Sequence, residues 1–245
     1  MKRIARLSAL AVALSMMLGA WAGAADQTVL GRSFIVKNPG TPDKRKVTGA
    51  AKETGSSATI VGDPTVASSV GGAFPGSPGG AILTIIANGD HPATQTFGLK
   101  QGTTSTGKPF WRANGGGTGF KYKDPKGDNG AVKVVIIKKT VGGVFSIKAV
   151  IRGKNGPLNV VPPNLGTDGF MTLLLGGVGG LGDRYCVQYG GDNVKNDGDR
   201  LFKVRRPPIG VCPGATTTTT TSTTTTTMPG SPSAAFLDRQ LDQLD

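Results

Sequence analysis

The chain has few of the side chains from which most enzyme active sites are built. Its 245 residues include one His, two Cys and 15 acidic residues, against 28 basic ones. General acid–base catalysis and nucleophilic catalysis depend mainly on His, Cys and suitably placed carboxylates. No G-x-S-x-G nucleophile elbow occurs, and no spacing of carboxylates selects a catalytic or metal-binding set. We therefore predict a protein that is not an enzyme, with no catalytic residue and no bound metal.

Residues 177–182 formally match the G-x-G-x-x-G pattern of dinucleotide-binding sites. Such a site requires a helix directly after the glycines, whereas Arg184 to Tyr189 have the pattern of a strand. We interpret the motif as a glycine-rich connection between two strands and predict no cofactor.

The sequence also lacks a hydrophobic run of the roughly 20 residues that a membrane-spanning helix needs. A shorter apolar stretch, Leu7 to Leu18, follows the cations Lys2, Arg3 and Arg6, and small residues occupy positions 22–24. This is the pattern of a secretory signal peptide. We predict that residues 1–24 are removed on export, that no segment spans a membrane, and that the protein is secreted to the periplasm or the extracellular space.

Helical periodicity is almost absent after the signal peptide, and short β-rich runs alternate with breaks of Gly, Pro, Asn and Asp. The clearest runs are Val132 to Lys139 and Val144 to Arg152. In both runs apolar residues alternate with residues that include Lys or Arg, which is typical of a half-buried antiparallel hairpin. This pair is the best-defined structural prediction in the chain.

Ten further runs are strand candidates: Thr28 to Lys37, Lys46 to Lys52, Ala58 to Val61, Ala81 to Ala87, Thr94 to Leu99, Phe110 to Arg112, Gly119 to Lys123, Phe170 to Leu175, Arg184 to Tyr189 and Leu201 to Val204. Many strands without a helix predict an all-β domain at residues 25–214, an antiparallel β-sandwich or a related barrel. The glycines at 115–117 leave open a division into two smaller sandwiches.

The C-terminal part has a different composition. Residues 215–232 are dominated by Thr and Pro and have nothing to bury, so we predict a disordered linker. In residues 233–245, Leu237, Leu241 and Leu244 fall on one face of a short amphipathic helix. A helix of this length is marginal alone, so it either docks onto the body or a partner or remains frayed.

Cys186 and Cys212 are the two cysteines of the chain. An even number of cysteines in an exported protein indicates a disulfide bond. Closing this loop would stabilise the fold by about 3 to 4 kcal/mol in the loop-entropy description. The spacing is not C-x-x-C, which disfavours a redox enzyme or a structural zinc site.

The net charge of the full chain is +13, and without residues 1–24 it is +10. A field of one sign attracts anionic partners and weakens as salt screens it. Local clusters supply our candidate contacts to an anionic ligand: Lys44, Arg45, Lys46, Lys138, Lys139, Arg205 and Arg206. The alternative is that these cations only solvate strand faces. Candidate residues for stacking against a sugar ring are Trp111 and Tyr122.

Three segments, Ser33 to Gly40, Gly119 to Asp124 and Tyr185 to Gly191, are followed by Leu201-Phe202-Lys203 and Cys212-Pro213. Together they resemble a group of secreted bacterial β-rich proteins that carry a Tyr-Cys-x-x-Tyr/Phe-Gly-Gly segment. The resemblance covers most of residues 28–214. It implies secretion and one continuous domain, and it implies no activity.

These observations favour a secreted, non-enzymatic structural or binding module that contacts anionic polysaccharide or other cell-surface material. No nucleic-acid-binding fold is recognisable, so we do not expect specific nucleic-acid binding. Two alternatives stay open. A secreted glycan hydrolase would show a cleft with two facing carboxylates, and a passive spacer domain would bind no ligand.

Overall fold

A computed structural model describes residues 25–66, 79–177, 180–190 and 194–205, with the backbone alone at 177, 180 and 181. Most of these residues belong to strands: β1 (Asp26–Thr28), β2 (Gly31–Lys37), β3 (Lys46–Glu53), β4 (Ala81–Gly89), β5 (Ala93–Leu99), β6 (Trp111–Ala113), β7 (Gly119–Lys123), β8 (Val132–Lys139), β9 (Phe145–Arg152), β10 (Gly166–Gly177), β11 (Gly180–Tyr189), β12 (Val194–Asp197) and β13 (Leu201–Arg205). The helical elements in the described ranges are three short 3-10 turns, at Pro42–Lys44, Gly115–Gly117 and Gly153–Asn155. The predicted all-β fold is confirmed.

The strands form two sheets. Sheet A has the order β1-β11-β10-β4-β5, and sheet B has the order β12-β13-β2-β3-β9-β8-β7-β6. Neighbouring strands are antiparallel except for β1 and β11, which are parallel. One face of each sheet contributes to a shared hydrophobic core. The fold is therefore a β-sandwich, as predicted.

Period-two alternation explains which face of each strand is buried. On β9, Phe145, Ile147, Ala149 and Ile151 are buried, while Lys148 is exposed. This strand pairs with β8 in the predicted hairpin. Because a shift of one residue would exchange the buried and exposed faces, the core specifies this register.

Aromatic side chains fill the centre of the sandwich. The chain has three tyrosines, and all three, Tyr122, Tyr185 and Tyr189, are at most 1% exposed. Tyr189 stacks on Phe34 with ring centroids 4.9 Å apart, and Tyr185 stacks on Phe145 at 5.7 Å. Stacked pairs of this kind add to the stabilisation that comes from burying apolar area.

The run Thr28 to Lys37, predicted as one strand, is divided between the two sheets. The Val29 N–H donates to the carbonyl of Cys186 in sheet A, whereas the carbonyl of Leu30 accepts from Lys52 in sheet B. The chain therefore changes sheets between these two residues. Alternation alone predicts a continuous strand here because it says nothing about which partner each residue pairs with.

The predicted strand Ala58 to Val61 is wrong, because side chains rather than a neighbouring strand satisfy its backbone. The Thr59 N–H donates to Gln27 at 2.8 Å. The Val61 N–H donates to the Tyr185 hydroxyl at 2.7 Å, and that hydroxyl donates to the Thr59 carbonyl at 3.0 Å. These bonds hold the segment outside either sheet.

Two glycine-rich segments join strands within a sheet. Gly115–Gly117 connects the paired strands β6 and β7, and Gly116 and Gly117 have positive φ values of 69° and 67° that favour glycine. The described glycines of the G-x-G-x-x-G segment belong to strands: Gly177 ends β10, and Gly180 and Gly182 lie in its partner β11, which occupies the place where a dinucleotide site would need a helix.

A buried carboxylate shapes the loop after β7. Asp124 is 0% exposed, and its carboxylate accepts hydrogen bonds from the backbone N–H groups of Gly127, Asp128 and Asn129 at 2.9, 3.0 and 2.8 Å. A charged acceptor satisfied by several backbone donors fixes a loop conformation. Asp124 is therefore a structural residue.

The remaining predictions on chain organisation concern residues outside the described ranges. They are the signal peptide at 1–24, the linker at 215–232 and the amphipathic tail at 233–245. Within the part of the chain that the structure describes, no helix is long and apolar enough to cross a membrane.

Candidate functional site

The outward face of sheet B is rich in basic side chains. Inward-pointing residues such as Val36 on β2 and Val47 on β3 are buried, so the alternate positions Lys37 and Lys46 point away from the core. The same alternation on the other strands produces what we call the cationic face, whose basic members are Lys37, Lys46, Lys52, Arg112, Lys121, Lys123, Lys138, Lys148, Arg152, Lys195, Lys203 and Arg205.

Strand pairing arranges these cations in rows that run across the sheet. One row aligns Lys37, Lys46 and Arg152 on three adjacent strands. Another row crosses seven strands and contains Arg205, Ser33, Ala50, Lys148, Ile136, Lys121 and Arg112. At about 4.8 Å between strands, such a row is about 29 Å long.

An uncharged band separates these two cationic rows. It consists of Ile35, Thr48, Val150 and Val134, which are aligned by the pairing of β2, β3, β9 and β8. The residues of the band are half-buried. The pairing continues this row to Lys203 on β13 and to Lys123 on β7, so a cation lies at each end of the band. A ligand that lies along the band therefore meets methyl groups and a hydroxyl beneath it. It has Lys37, Lys46 and Arg152 on one side and Lys148 on the other.

Few carboxylates compensate this charge. Among the described strand residues of sheet B, the acidic residue on the cationic face is Asp197, at the β12 edge. Within the described ranges the one ion pair joins Arg184 and Asp26, which belong to sheet A. The cations of this face are therefore available for an anionic partner.

The lysines of the cationic face repel one another. Burial lowers the pKa of Lys46 below the usual lysine value, and the neighbouring charges of Arg152, Lys37 and Lys148 lower it further. The pKa of Lys203 is also lowered, by desolvation and by charges that include Arg205. Like charges held this close oppose folding unless counter-ions or a ligand screen them.

A cleft of about 730 Å³ lies at one end of the cationic face. Lys37, Lys44, Lys46 and Arg200 line it together with two carboxylates, Asp197 and Asp199. The carboxylates lie on a single turn, which is closed by the Arg200 N–H donating to the Asp197 carbonyl at 3.0 Å. They are therefore on one wall of the cleft, whereas glycosidases place two carboxylates on opposite sides of the bond they cleave.

Four of the predicted anion contacts lie on the cationic face or beside it. Lys46, Lys138 and Arg205 belong to the cationic face, and Lys44 lines the adjoining cleft. Arg206 lies outside the described residues.

Arg45 and Lys139 instead make structural hydrogen bonds. Arg45 donates to the Asn38 side chain at 3.2 Å and to the Leu158 carbonyl at 3.1 Å. Lys139 donates to the Ala58 carbonyl at 2.7 Å. Both side chains therefore help to hold loops in place, and their role as ligand contacts stays a prediction.

The prediction that Trp111 and Tyr122 stack against a sugar ring is wrong. Trp111 and Tyr122 are 3% and 1% exposed, because both pack in the core. The Trp111 indole N–H donates to the Leu99 carbonyl at 3.0 Å, and the Tyr122 ring stacks on Phe110 with centroids 5.6 Å apart. Neither side chain presents a ring to a ligand.

Two further sets of residues are the cysteines of the predicted disulfide and the side chains that could act in catalysis or bind a metal. Cys186 lies on β11 and is 3% exposed, while Cys212 lies outside the described residues, so the disulfide stays a prediction. His91 is exposed in the turn between β4 and β5. In the ranges that the structure covers, no three His, Cys, Asp or Glu side chains are grouped as a metal ion would require.

Runs of consecutive basic residues identify only a small part of the cationic face. Lys37, Lys121, Lys148 and Lys203 each stand apart from other cations in the sequence. The pattern that identifies them is a strand in which basic residues alternate with apolar residues, so that the apolar residues are buried and the basic ones lie on the other face.

Comparisons with known proteins supply no assignment for this site, because no protein-family model, curated protein or solved structure matches the chain. The interpretation of the cationic face therefore depends on its own geometry and charge.

Proposed function

We propose that the protein is a secreted, non-enzymatic binding module whose cationic face holds an anionic polysaccharide of the cell surface or its surroundings. The observation that carries the proposal is the arrangement of cations in rows on both sides of an uncharged band, with few carboxylates to neutralise them. Mutual repulsion on this face opposes folding, and a bound polyanion would relieve it.

The surface chemistry favours a polysaccharide over a nucleic acid. Single-stranded nucleic acids are held by a basic groove together with aromatic rings on which the bases stack. Among the described residues of the cationic face there is no aromatic side chain, and the nearby Phe120 packs against the core. A sugar chain presents C–H groups that suit the band of Ile35, Val150 and Val134, and its anionic substituents suit the flanking cations.

A hydrolase is the second candidate, since the cleft at the end of the face contains Asp197 and Asp199. Their position on one turn disfavours glycosidic cleavage, which needs a carboxylate on each side of the bond. Release of reducing ends from an anionic glycan, lost in Asp197→Asn, would overturn the non-enzymatic part of the proposal.

Retention of the purified full-length protein on immobilised glycans tests the proposal. We expect retention on a sulfated or phosphorylated polysaccharide, little retention on a neutral one, and elution at moderate salt because the contacts are screened charges. Equal retention on charged and neutral matrices at low salt would contradict the proposal, as would binding to anionic lipid vesicles without binding to any glycan.

A matched pair of single variants locates the binding surface. Lys148→Gln removes an exposed charge from the centre of the cationic face, whereas Lys100→Gln removes an exposed charge next to β5 of sheet A. The first variant should elute at lower salt and the second should elute like the unmodified protein. Indistinguishable elution of the two variants would mean that net charge, rather than this face, causes retention.

A further inference from the structure

A separate cavity of about 270 Å³ lies at the β6 edge of sheet B, opposite the edge formed by β12. Four basic side chains line it: Lys108 from the preceding loop, Arg112 from β6, and Lys121 and Lys123 from β7. The described lining contains no carboxylate. Arg112, Lys121 and Lys123 are also members of the cationic face, so the cavity is continuous with it.

The loop that forms one wall of the cavity is held in place by its own hydrogen bonds. The Thr104 N–H donates to the Lys108 carbonyl at 2.8 Å, and the Lys108 N–H donates to the Thr104 hydroxyl at 3.2 Å. The Ser105 N–H and hydroxyl donate to the carboxylate of Asp128 at 2.9 and 3.0 Å, which ties the loop to the next one. The backbone that positions Lys108 is therefore preorganised.

The lining is apolar as well as charged. Phe110, which is 6% exposed, contributes to the lining beside Pro109, and its ring stacks on the buried Tyr122. The Phe110 N–H donates to the Gly102 carbonyl at 2.9 Å. The lining therefore combines apolar side chains, one of them anchored in the core, with charged groups, which is a common composition for a small-molecule site.

We propose that this cavity binds one sugar unit that carries a phosphate or sulfate ester. The cavity is slightly smaller than the roughly 300 Å³ lower bound of drug-sized sites, so it accommodates a single ring rather than a chain. An ester of this kind offers three terminal oxygens to the cations, and the fork of Arg112 can donate to two of them at once. A uronate offers only two carboxylate oxygens to the same four cations.

This inference rests on the proposed function and names the charged group that the polysaccharide presents. The cationic face holds the chain through many weak contacts, and the cavity at its edge selects a unit that bears an ester. Because Lys121 and Arg112 lie at the end of a cationic row and also line the cavity, the cationic face and the cavity form one continuous surface.

Titration calorimetry of the full-length protein with four small probes tests the inference at low salt. The probes are glucose 6-phosphate, glucose 6-sulfate, glucuronate and inorganic sulfate. We expect dissociation constants of the order of millimolar for the two sugar esters and at least tenfold weaker binding of glucuronate and inorganic sulfate. Equal affinity for all four anions, or no detectable binding of either ester, would overturn the inference. Preference for one ester over the other identifies which of the two the site takes.

Paired variants show where the probes bind. Arg112→Gln combined with Lys121→Gln should weaken ester binding at least tenfold because it removes two of the four cations. Lys100→Gln combined with Lys154→Gln removes the same charge from two exposed lysines outside both the cationic face and the cavity lining, and should alter ester binding less than twofold. Equal losses in the two double variants would refute the assignment to this cavity. Circular dichroism of each variant checks that the sandwich is folded.

The two proposals fail in different ways. If the protein is retained on an anionic polysaccharide but binds neither ester, the cavity inference is wrong and the proposed function stands. If the esters bind in the cavity but no polysaccharide is retained, the proposed polymer-binding function is wrong and the cavity is a site for free sugar esters.

Discussion

The three tyrosines of the chain should remain protonated until the sandwich unfolds at alkaline pH. All three are buried in the core, and burial raises the pKa of Tyr185 to about 12. Burial also raises the pKa values of Tyr122 and Tyr189 above the usual tyrosine value. At about pH 11 an exposed tyrosine with a pKa near 10 is about 91% ionised, whereas a pKa of about 12 leaves about 9% ionised.

The sign of the effect on stability follows from proton linkage. In the unfolded chain each tyrosine loses its proton near pH 10, while the folded protein keeps it to higher pH, so the free energy of unfolding falls as pH rises between these values. Each buried tyrosine lowers it by about 1.4 kcal/mol per pH unit in that window, and three lower it by about 4 kcal/mol per pH unit. The pKa of Lys46 is lowered in the folded state, so its titration acts in the opposite direction.

An alkaline titration followed by phenolate absorbance and circular dichroism measures this behaviour. We expect no ionisation near pH 10, and then one cooperative step of all three tyrosines that coincides with loss of the β-sheet signal. Tyr185→Phe should reduce the phenolate amplitude, and the slope of stability against pH, by about a third. A reversible ionisation of one tyrosine with a pKa near 10 in the folded protein would refute the assignment of all three to the core.

Three further predictions concern stability. Asp124→Asn should lower the free energy of unfolding by about 2 to 4 kcal/mol in urea, because an amide cannot accept all the backbone hydrogen bonds of the buried carboxylate; a loss below about 0.5 kcal/mol would contradict its structural role. If Cys186 and Cys212 form a disulfide, reduction should lower stability by about 3 to 4 kcal/mol, and a thermal unfolding midpoint unchanged by reductant would exclude a stabilising bond. Gly153→Ala should cost about 1 to 3 kcal/mol because its Cβ would lie 1.9 Å from a backbone carbonyl oxygen. The control Gly142→Ala, whose Cβ meets no atom closer than 4.0 Å, should change stability by less than about 0.5 kcal/mol; similar losses in both glycine variants would contradict the steric argument.

Local patterns predicted the strands best where one face of a strand is buried and the other is charged. The β8–β9 hairpin has this pattern, and its observed bounds, Val132–Lys139 and Phe145–Arg152, differ from the prediction by one residue at one end. The segment Ala58 to Val61 has a short apolar run without such a pattern, and bonds from Gln27 and Tyr185 hold it outside the sheets. Hydrogen bonds to side chains that are distant in sequence cannot be recognised from the local sequence.

The candidate site was harder to predict because consecutive residues of a strand point to opposite faces. Lys138 lies on the cationic face, while its neighbour Lys139 donates to the Ala58 carbonyl on the other side. A pair of adjacent lysines is therefore a poor guide to a basic surface in a β protein. The aromatic candidates failed for a related reason, since composition could not separate a ring on the surface from one in the core.

Composition and period-two alternation are local properties, so they suffice to predict a basic β-rich body with few catalytic side chains. Which cations become neighbours depends instead on how the strands pair. Lys148, Lys121 and Arg112 come together through the pairing of β9, β8, β7 and β6. Arg205 lies at the opposite end of the same row, on the same face, through the pairing of β13, β2, β3 and β9. Strand order and register place these charges on one surface, since hydrogen bonding between strands aligns residues that are far apart in the chain.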